Sequence, residues 1–268
     1  MNLKYFHYIS KSKVETINGQ LTPEFHWSKI NPKLQGFGLG IDLSIERNRT
    51  NDTEELVKKT LAIINYFGKK NLITPLQSAT KIDSLSMYHD TDDWFHGLYS
   101  LKLETLREQQ LVTYVLWKAV KDSIFLLLGS PLNVLGSRDV QEGTRYQSSS
   151  SQILGGIMEG AIAYSFVETL QNKRLQSLNE NIFLELNPSN NADIRVNVSN
   201  WKQAKRISAK INVFRGTALA VFCHESLALL PQRKLEVNFQ IQLSMPVSRS
   251  VIPYDVIYLG SPLYTAYA

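Results

Sequence analysis

Residues 123–131 read Ser123-Ile124-Phe125-Leu126-Leu127-Leu128-Gly129-Ser130-Pro131, a short apolar run that ends in turn-forming residues. A run of this length, bounded by glycine and proline, predicts a buried strand rather than a helix. A closely similar sequence returns at residues 256–263, where another apolar run leads into Leu-Gly-Ser-Pro-Leu. We expect both segments to finish central strands with the same turn, and the two turns to line one cleft.

Apolar patterns place further strands on both sides of this segment. Residues 94–103 and 234–245 alternate between apolar and other residues, which predicts strands with one buried face. Residues 111–120 are apolar and β-branched, and with residues 94–103 they predict a hairpin that leads into the strand at residue 123.

Other segments complete the predicted secondary structure. Residues 75–93 lose the apolar pattern, which predicts a surface loop. Additional strands are predicted at residues 37–45, 207–214 and 219–229, and helices at 52–67, 152–178 and 199–206.

The order of these elements indicates the fold class. Strands follow one another without the regular strand and helix alternation of a doubly wound fold. We therefore predict an α+β protein with mainly antiparallel sheets flanked by helices, in two intimately joined lobes. The boundaries would be residues 1–140 and 152–268, and a single continuous domain is the alternative.

Composition narrows the class of partner. The chain has 268 residues, 43% hydrophobic and 20% charged, which is ordinary for a globular protein that buries a core. Its net charge of +5 permits an anionic ligand. Lysine and arginine are scattered rather than arranged in a stripe, so nucleic acid is a disfavoured partner.

Cysteine usage and the first residues of the sequence bear on the compartment. Cys223 is the single cysteine, so no intramolecular disulfide forms and a reduced cytoplasmic setting is expected. The opening residues are too polar for a signal peptide, and no apolar run is long enough to cross a bilayer. The sequence thus predicts a cytoplasmic protein with no membrane partner.

The repeated Gly-Ser-Pro segments provide the candidate ligand site. Backbone amides and small hydroxyls at the end of a buried strand are suited to a phosphate or carboxylate, and a nearby arginine would add charge. The alternative is a plain tight turn, in which glycine and proline only set the backbone angles. The candidate ligand-binding residues are Gly129, Ser130, Asn133, Ser137, Arg138, Gly260 and Ser261.

Two other clusters suggest chemistry. His89, Asp92, Asp93 and His96 carry metal-ligand side chains at short spacing, although aspartates before a strand usually form turns in water. Cys223 and His224 resemble a thiol and its base, but neighbours on the predicted strand point to opposite faces. We assign no metal, no other cofactor and no catalytic residue.

Short motifs spread over nearly the whole chain carry a resemblance. They are Tyr-Ile-Ser-Lys-Ser-Lys-Val at residues 8–14, Trp94 with Gly97, Gly-Ser-Pro-x-x-Val-x-Gly at 129–136 and Leu-Gly-Ser-Pro-Leu-Tyr at 259–264. In these motifs the chain resembles a family of uncharacterised proteins of actinobacteria and cyanobacteria. The resemblance implies a cytoplasmic bacterial protein from lineages where such families often lie beside signalling or defence genes.

These observations favour a non-catalytic protein. We expect a ligand-sensing or partner-binding component of a signalling or defence system, with a small anionic ligand and with a protein partner or a second copy of the chain. The alternatives are a metal-dependent hydrolase acting on a phosphorylated or nucleotide substrate, with His89, Asp92, Asp93 or His96 at its metal, and a structural subunit of a larger assembly.

Overall fold

Strands and helices follow one another irregularly along the chain, as expected for an α+β protein. The structure, a computed structural model, describes residues 4–21, 49–84, 86–102, 110–135, 183–186, 192–195 and 201–268. In chain order the elements are β1 (Tyr5–Ile9), α1 (Lys11–Leu21), α2 (Arg49–Lys69), β2 (Ile73–Pro75), β3 (Met87–Lys102), β4 (Gln110–Val120), β5 (Ser123–Gly129), β6 (Phe183–Leu186), β7 (Ala192–Arg195), α3 (Trp201–Glu225), β8 (Gln232–Pro246) and β9 (Val256–Tyr267).

Five of the strands close into a barrel. The predicted hairpin is confirmed: β3, β4 and β5 pair in sequence order, each antiparallel to the next. Strand β8 then returns to lie antiparallel beside β3, which makes β8-β3-β4-β5 a Greek key. Strand β9 closes the barrel, because it pairs antiparallel with β8 and parallel with β5.

Alternation along the strands separates the interior of the barrel from its outer surface. Phe125 and Leu127 on β5 belong to one buried cluster, whereas Ile124, Leu126 and Leu128 belong to another. The first cluster draws side chains from the barrel strands and fills the interior. Its other fully buried members include Trp94, Leu116, Val237 and Phe239.

Helices cover the outer surface on two sides. Helix α3 lies over β4, β5 and β9, where Phe222 and Leu219 pack with Trp117, Leu126 and Leu259. Helices α1 and α2 lie over β1 and the end of β9, where Val14 and Ile63 pack with Leu263. Strand β1 extends the sheet by pairing antiparallel with the last four residues of β9. The barrel therefore has α3 packed on one part of its outer surface, and α1 and α2 packed on another.

The prediction for residues 207–229 is wrong. The structure has one helix, α3, where the sequence suggested two strands after a short helix. Gly216 lies within this helix. A Cβ at this position would lie 2.2 Å from the carbonyl oxygen of Pro246, so glycine lets the helix approach β8 closely.

Two predicted loops are also wrong. Gly260-Ser261-Pro262 lies inside β9 and does not end it, because pairing with β8 and β1 continues to Tyr267. Residues 89–93 lie in β3, paired with β8, although their polarity suggested a surface loop. Strand β3 begins at Met87, six residues before the predicted end of the loop at residue 93.

Some predictions fall on residues that the structure does not describe. The strand at 37–45 and the long helix at 152–178 lie outside the described ranges. The barrel combines strands from residues 87–129 with strands from 232–267. The division into lobes 1–140 and 152–268 stays a prediction.

Candidate functional site

The first Gly-Ser-Pro segment forms the turn that the sequence predicts at the end of β5. Ser130 precedes a single 3₁₀ turn, Pro131–Asn133, and its Oγ accepts a hydrogen bond from the amide of Leu132 at 3.4 Å. The ring of Tyr8 packs against Gly129, so that a Cβ there would lie 2.6 Å from the tyrosine hydroxyl. Glycine is required at this position by the packing of β1.

The second segment holds a close contact between neighbouring strands. A Cβ on Gly260 would lie 2.4 Å from the carbonyl oxygen of Gln240 and 3.0 Å from the side chain of Leu127. Ser261 is almost fully buried, and its Oγ accepts a hydrogen bond from Nε2 of Gln242 at 3.0 Å. Gly260 pairs with Leu127 of β5, so the two segments lie on adjacent strands.

The junction of β1 and α1 contacts both segments. In β1, Tyr8 accepts a hydrogen bond from Nδ2 of Asn133 at 3.4 Å. In α1, the amino group of Lys13 donates to Ser261 at Oγ, 2.5 Å, and at the carbonyl oxygen, 3.0 Å. The amide of Ser10, between them, donates to the carbonyl oxygen of Leu263 at 2.8 Å. We name this arrangement the α1 junction; it consists of Tyr8, Ser10, Lys13, Ser130, Asn133 and Ser261.

The electrostatics of the α1 junction are unusual for a lysine site. The oxygens that contact the Lys13 amino group are neutral, and within the described part of the chain no carboxylate contacts it. Burial lowers the pKa of Lys13 to about 7. Both charge states are thus populated at neutral pH, and a negatively charged ligand would favour the ammonium form.

Helix α1 adds further positive charge beside the Lys13 amino group. Its first turn contains Lys11 and Lys13 but no acidic residue. The first amides of a helix have no partners within the helix, and the helix dipole is positive at this end. Such a helix start attracts anions. A sequence signal was present in Ser10-Lys11-Ser12-Lys13, two lysines at a helix start, but the prediction concentrated on the two glycine segments.

The structure divides the predicted ligand residues into two groups. It brings Ser130, Asn133 and Ser261 to the α1 junction, with Gly129 and Gly260 packed against neighbouring backbone and side chains. Ser137 and Arg138 lie outside the described residues.

The histidines and aspartates of the suggested metal site have separate partners. Asp92 accepts a hydrogen bond from Lys118 at 2.7 Å, and His89 contacts Thr91 at 3.3 Å. Over the described ranges, no group of three or more histidine, cysteine or acidic side chains is placed to hold a metal ion. His89, Asp92, Asp93 and His96 therefore do not form the cluster that the hydrolase alternative needs.

A buried ion pair inside the barrel was missed by the sequence analysis. Lys118 donates to Asp90 Oδ2 at 2.8 Å, and Nε1 of Trp94 donates to the same oxygen at 2.9 Å. Lys118 also lies 5.3 Å above the Trp94 ring. The hydrogen bond from Lys118 is the main cause that lowers the pKa of Asp92. The available signal was Lys118, a lysine within the otherwise apolar residues 114–120 of β4.

His96 lies at another part of the barrel, beside β1. It is 6% exposed, and burial lowers its pKa to about 4, with His7 and Arg233 contributing. Its ring lies 5.1 Å from the ring of His7, and both are near Tyr114. Neither ring nitrogen of His96 has a hydrogen-bond partner among the described residues.

Cys223 is a residue of α3 that packs in the cluster between this helix and the barrel. It is fully buried, and burial raises the pKa of its thiol well above the usual range. His224 instead lies between the rings of Trp117 and Tyr254, at 5.1 and 5.2 Å. The two residues lie on a helix rather than a strand, and Cys223 lacks the lowered pKa that a nucleophilic thiol requires.

Among the helices that the structure describes, none is both long enough and apolar enough to span a membrane.

The fold and the α1 junction define an α+β protein in which a five-stranded Greek-key barrel carries a polar, lysine-containing site beside its first helix. The chain belongs to a family of unknown function, DUF7019, which matches residues 4–268. No curated protein and no solved structure matches it. The resemblance to an uncharacterised family is confirmed, while the bacterial origin stays an expectation.

Proposed function

We propose that the protein is a non-catalytic, cytoplasmic ligand-sensing component that binds a small anion at the α1 junction. The observation that carries this proposal is the amino group of Lys13, held among the neutral oxygens of Ser261 and Pro262 at 2.5 to 3.4 Å. A partly buried ammonium without a carboxylate partner is costly unless a counter-charge is supplied. An anionic ligand supplies that charge.

The neighbouring groups are suited to a phosphate or carboxylate. The α1 junction contains hydroxyls at Ser10 and Ser130, the first amides of α1, and the Asn133 amide, whose Nδ2 donates to Tyr8; all of these are hydrogen-bond donors. Arg138, predicted to hold the anion, follows Asn133 by five residues in the sequence. The proposal keeps Ser137 and Arg138 as ligand contacts.

The covering of the barrel argues for a small ligand rather than an oligonucleotide. In the five-stranded Greek-key barrels that bind oligonucleotides, the ligand lies on the face of the second and third strands. The corresponding strands here are β4 and β5, and α3 buries their outer face through contacts such as Phe222 with Trp117 and Leu126. This agrees with the scattered positive charge of the sequence.

Calorimetric titration with pyrophosphate and a panel of nucleoside phosphates tests the proposal. We expect at least one anion to bind the wild-type chain, and Lys13→Met to weaken that binding by tenfold or more, about 1.4 kcal/mol or greater, because a hydrogen bond to a charged group is lost. Lys81→Met is the matched control, since Lys81 is highly exposed and distant in the sequence. Arg138→Ala should also weaken binding without unfolding the protein.

Two results would contradict the proposal. The first is that no anion in the panel binds, and the second is that Lys13→Met and Lys81→Met bind equally well. A protein partner or a homo-oligomer is a further expectation, which light scattering at working concentration tests. A large assembly with no anion binding would favour the structural-subunit alternative.

A further inference from the structure

The partners of Lys13 set it apart from other lysines of the fold. Within the described ranges its amino group contacts the hydroxyl of Ser261 and the backbone carbonyls of Ser261 and Pro262, and no carboxylate. Carboxylates pair with several other lysines, namely Lys4, Lys59, Lys81 and Lys118. An ammonium group beside a carboxylate keeps its charge, whereas neutral oxygens favour that charge less.

The surroundings of Lys13 therefore populate its uncharged amine. Burial lowers the pKa of Lys13 to about 7, so about half of these amino groups are uncharged at neutral pH. At the ordinary lysine pKa, roughly one amino group in a few thousand would be uncharged. The amine rather than the ammonium ion is the nucleophile that attacks a carbonyl carbon. Lys13 thus has the charge state that covalent capture of a carbonyl group requires.

The hydroxyl of Ser261 is placed to move protons to and from the Lys13 nitrogen. Its Oγ lies 2.5 Å from Nζ of Lys13 and also accepts a hydrogen bond from Nε2 of Gln242 at 3.0 Å. A hydroxyl both donates and accepts hydrogen bonds. When an amine adds to a carbonyl, the nitrogen loses a proton and the carbonyl oxygen gains one, which a hydroxyl within hydrogen-bond reach assists.

We propose that the anion bound at the α1 junction carries an aldehyde or ketone group, which Lys13 captures reversibly as an imine. The inference rests on the proposed function, because the phosphate or carboxylate of the same molecule would lie at the start of α1. The Lys13 nitrogen forms a bond to the carbonyl carbon and gives a carbinolamine. The carbinolamine hydroxyl then leaves as water, and the carbon–nitrogen double bond forms without any oxidant or reductant. Hydrolysis returns the unchanged ligand, so the protein remains a sensor.

Exposure separates Lys13 from the other buried lysine. The side chain of Lys13 is partly exposed and lies in the first turn of α1, so a small molecule reaches its amino group from solvent. Lys118 is 7% exposed and its amino group is held by the carboxylates of Asp90 and Asp92 at 2.8 and 2.7 Å. A carbonyl reagent should therefore modify Lys13 in preference both to Lys118 and to lysines that are exposed and fully charged.

The test uses pyridoxal 5′-phosphate, which joins an aldehyde to a phosphate, and pyridoxal, which lacks the phosphate, as its matched control. Each reagent is added in less than one equivalent to the full chain in phosphate-free buffer. Imines are reduced with borohydride, and peptide mass spectrometry locates the modified lysines. We expect pyridoxal 5′-phosphate to modify Lys13 at least tenfold more than Lys81, and pyridoxal to modify Lys13 severalfold less. Excess pyrophosphate should protect Lys13.

Lys13→Arg separates the charge of the site from its amine chemistry. Arginine keeps the positive charge but lacks the primary amine, so this variant should still bind pyrophosphate and give no reducible adduct at residue 13. Lys81→Met should leave the labelling of Lys13 unchanged. The mapping of the wild-type chain needs no variant, so the test stays valid if Lys13→Arg unfolds.

Two results would overturn the inference: labelling by pyridoxal 5′-phosphate without preference for Lys13, or equal labelling of Lys13 by pyridoxal. Calorimetry with pyrophosphate then distinguishes the two failures. If pyrophosphate still binds and Lys13→Met weakens that binding, the anion site stands and imine capture alone is wrong. If pyrophosphate and the nucleoside phosphates do not bind either, the proposed function is wrong as well.

Discussion

Gly260 shows how a single residue of the predicted site acts through the backbone. An added Cβ would meet the carbonyl oxygen of Gln240 at 2.4 Å, next to an irregularity in the pairing of β8 with β9. That oxygen belongs to the backbone of a barrel strand, so it cannot turn away as a side chain would. We expect Gly260→Ala to reduce the free energy of unfolding by about 1–3 kcal/mol, measured by urea denaturation.

The control for this variant is Gly68→Ala, near the end of α2. Nothing lies within 4 Å of a Cβ at Gly68, so alanine should leave stability unchanged or raise it by up to about 1 kcal/mol through its better helix propensity. Equal stability of the Gly260 and Gly68 variants would show that the strands can move apart at no cost, contrary to the close contact.

Lys13 should make stability depend on pH in a defined window. Its pKa is about 7 in the folded chain and has the ordinary value of 10.5 in the unfolded chain, so between these values the unfolded chain holds more protons than the folded chain. The free energy of unfolding therefore rises as pH increases through this window. In phosphate-free buffer we expect wild type to gain stability from pH 7 to about pH 9, relative to Lys13→Met. A parallel pH dependence of both proteins would contradict the lowered pKa.

At the scale of strands, a buried ion pair between Asp90 and Lys118 joins β3 to β4 inside the barrel. The side chains of Asp90 and Lys118 are 1% and 7% exposed. Lys118→Met would leave the Asp90 carboxylate buried without its cation, which typically costs about 3–5 kcal/mol. The matched control is Lys59→Met, because Lys59 pairs with Glu55 on the exposed surface of α2, where a loss within about 0.5 kcal/mol is expected.

Thermal and urea denaturation of both variants measure this difference. The addition of Asp90→Asn to Lys118→Met should recover part of the lost stability, since the buried charge is then removed. A Lys118 variant as stable as the Lys59 variant would mean that Asp90 reaches solvent when its partner is absent.

The strands of the barrel were predictable because their alternation is local. Leu235, Val237, Phe239 and Ile241 face the interior in sequence steps of two, as period-two alternation requires. Helix α3 was not predictable by the same argument. Residues 218–223 of α3 are a continuous apolar run without the three-to-four-residue spacing that marks an amphipathic helix. A short apolar run of this kind does not distinguish a buried helix from a strand.

The candidate site was predictable only in part. The turn at Ser130 follows from glycine and proline chemistry, which is local. The role of Lys13 depends on contacts with Ser261, which is 248 residues away in the sequence. The same holds for Asp90 and Lys118, which meet through pairing of β3 with β4. Both contacts join residues that are distant in the sequence. They depend on how strands and helices pair across the whole fold, which local sequence patterns do not specify.

At the scale of the whole molecule, the order of strands makes the two halves of the chain interdependent. Strand β9 lies between β5 and β8, and β3 lies between β4 and β8. Without residues 232–267, β3 and β5 would each lose a neighbour, and the interior residues Trp94 and Phe125 would lose Phe239 as a partner. A half-barrel exposes its apolar interior and its strand edges to water.

We therefore expect neither residues 1–140 nor residues 152–268 to fold alone. Each purified fragment should show no cooperative thermal transition and little near-ultraviolet circular dichroism, whereas the intact chain should unfold in one transition. Mixing the fragments should restore part of the aromatic signal, because the pairings of β3 with β8 and of β5 with β9 join the halves without a covalent link. A cooperative transition in fragment 1–140 by itself would instead support two independent lobes. The barrel would then have to be an assembly of prefolded parts rather than a single folding unit.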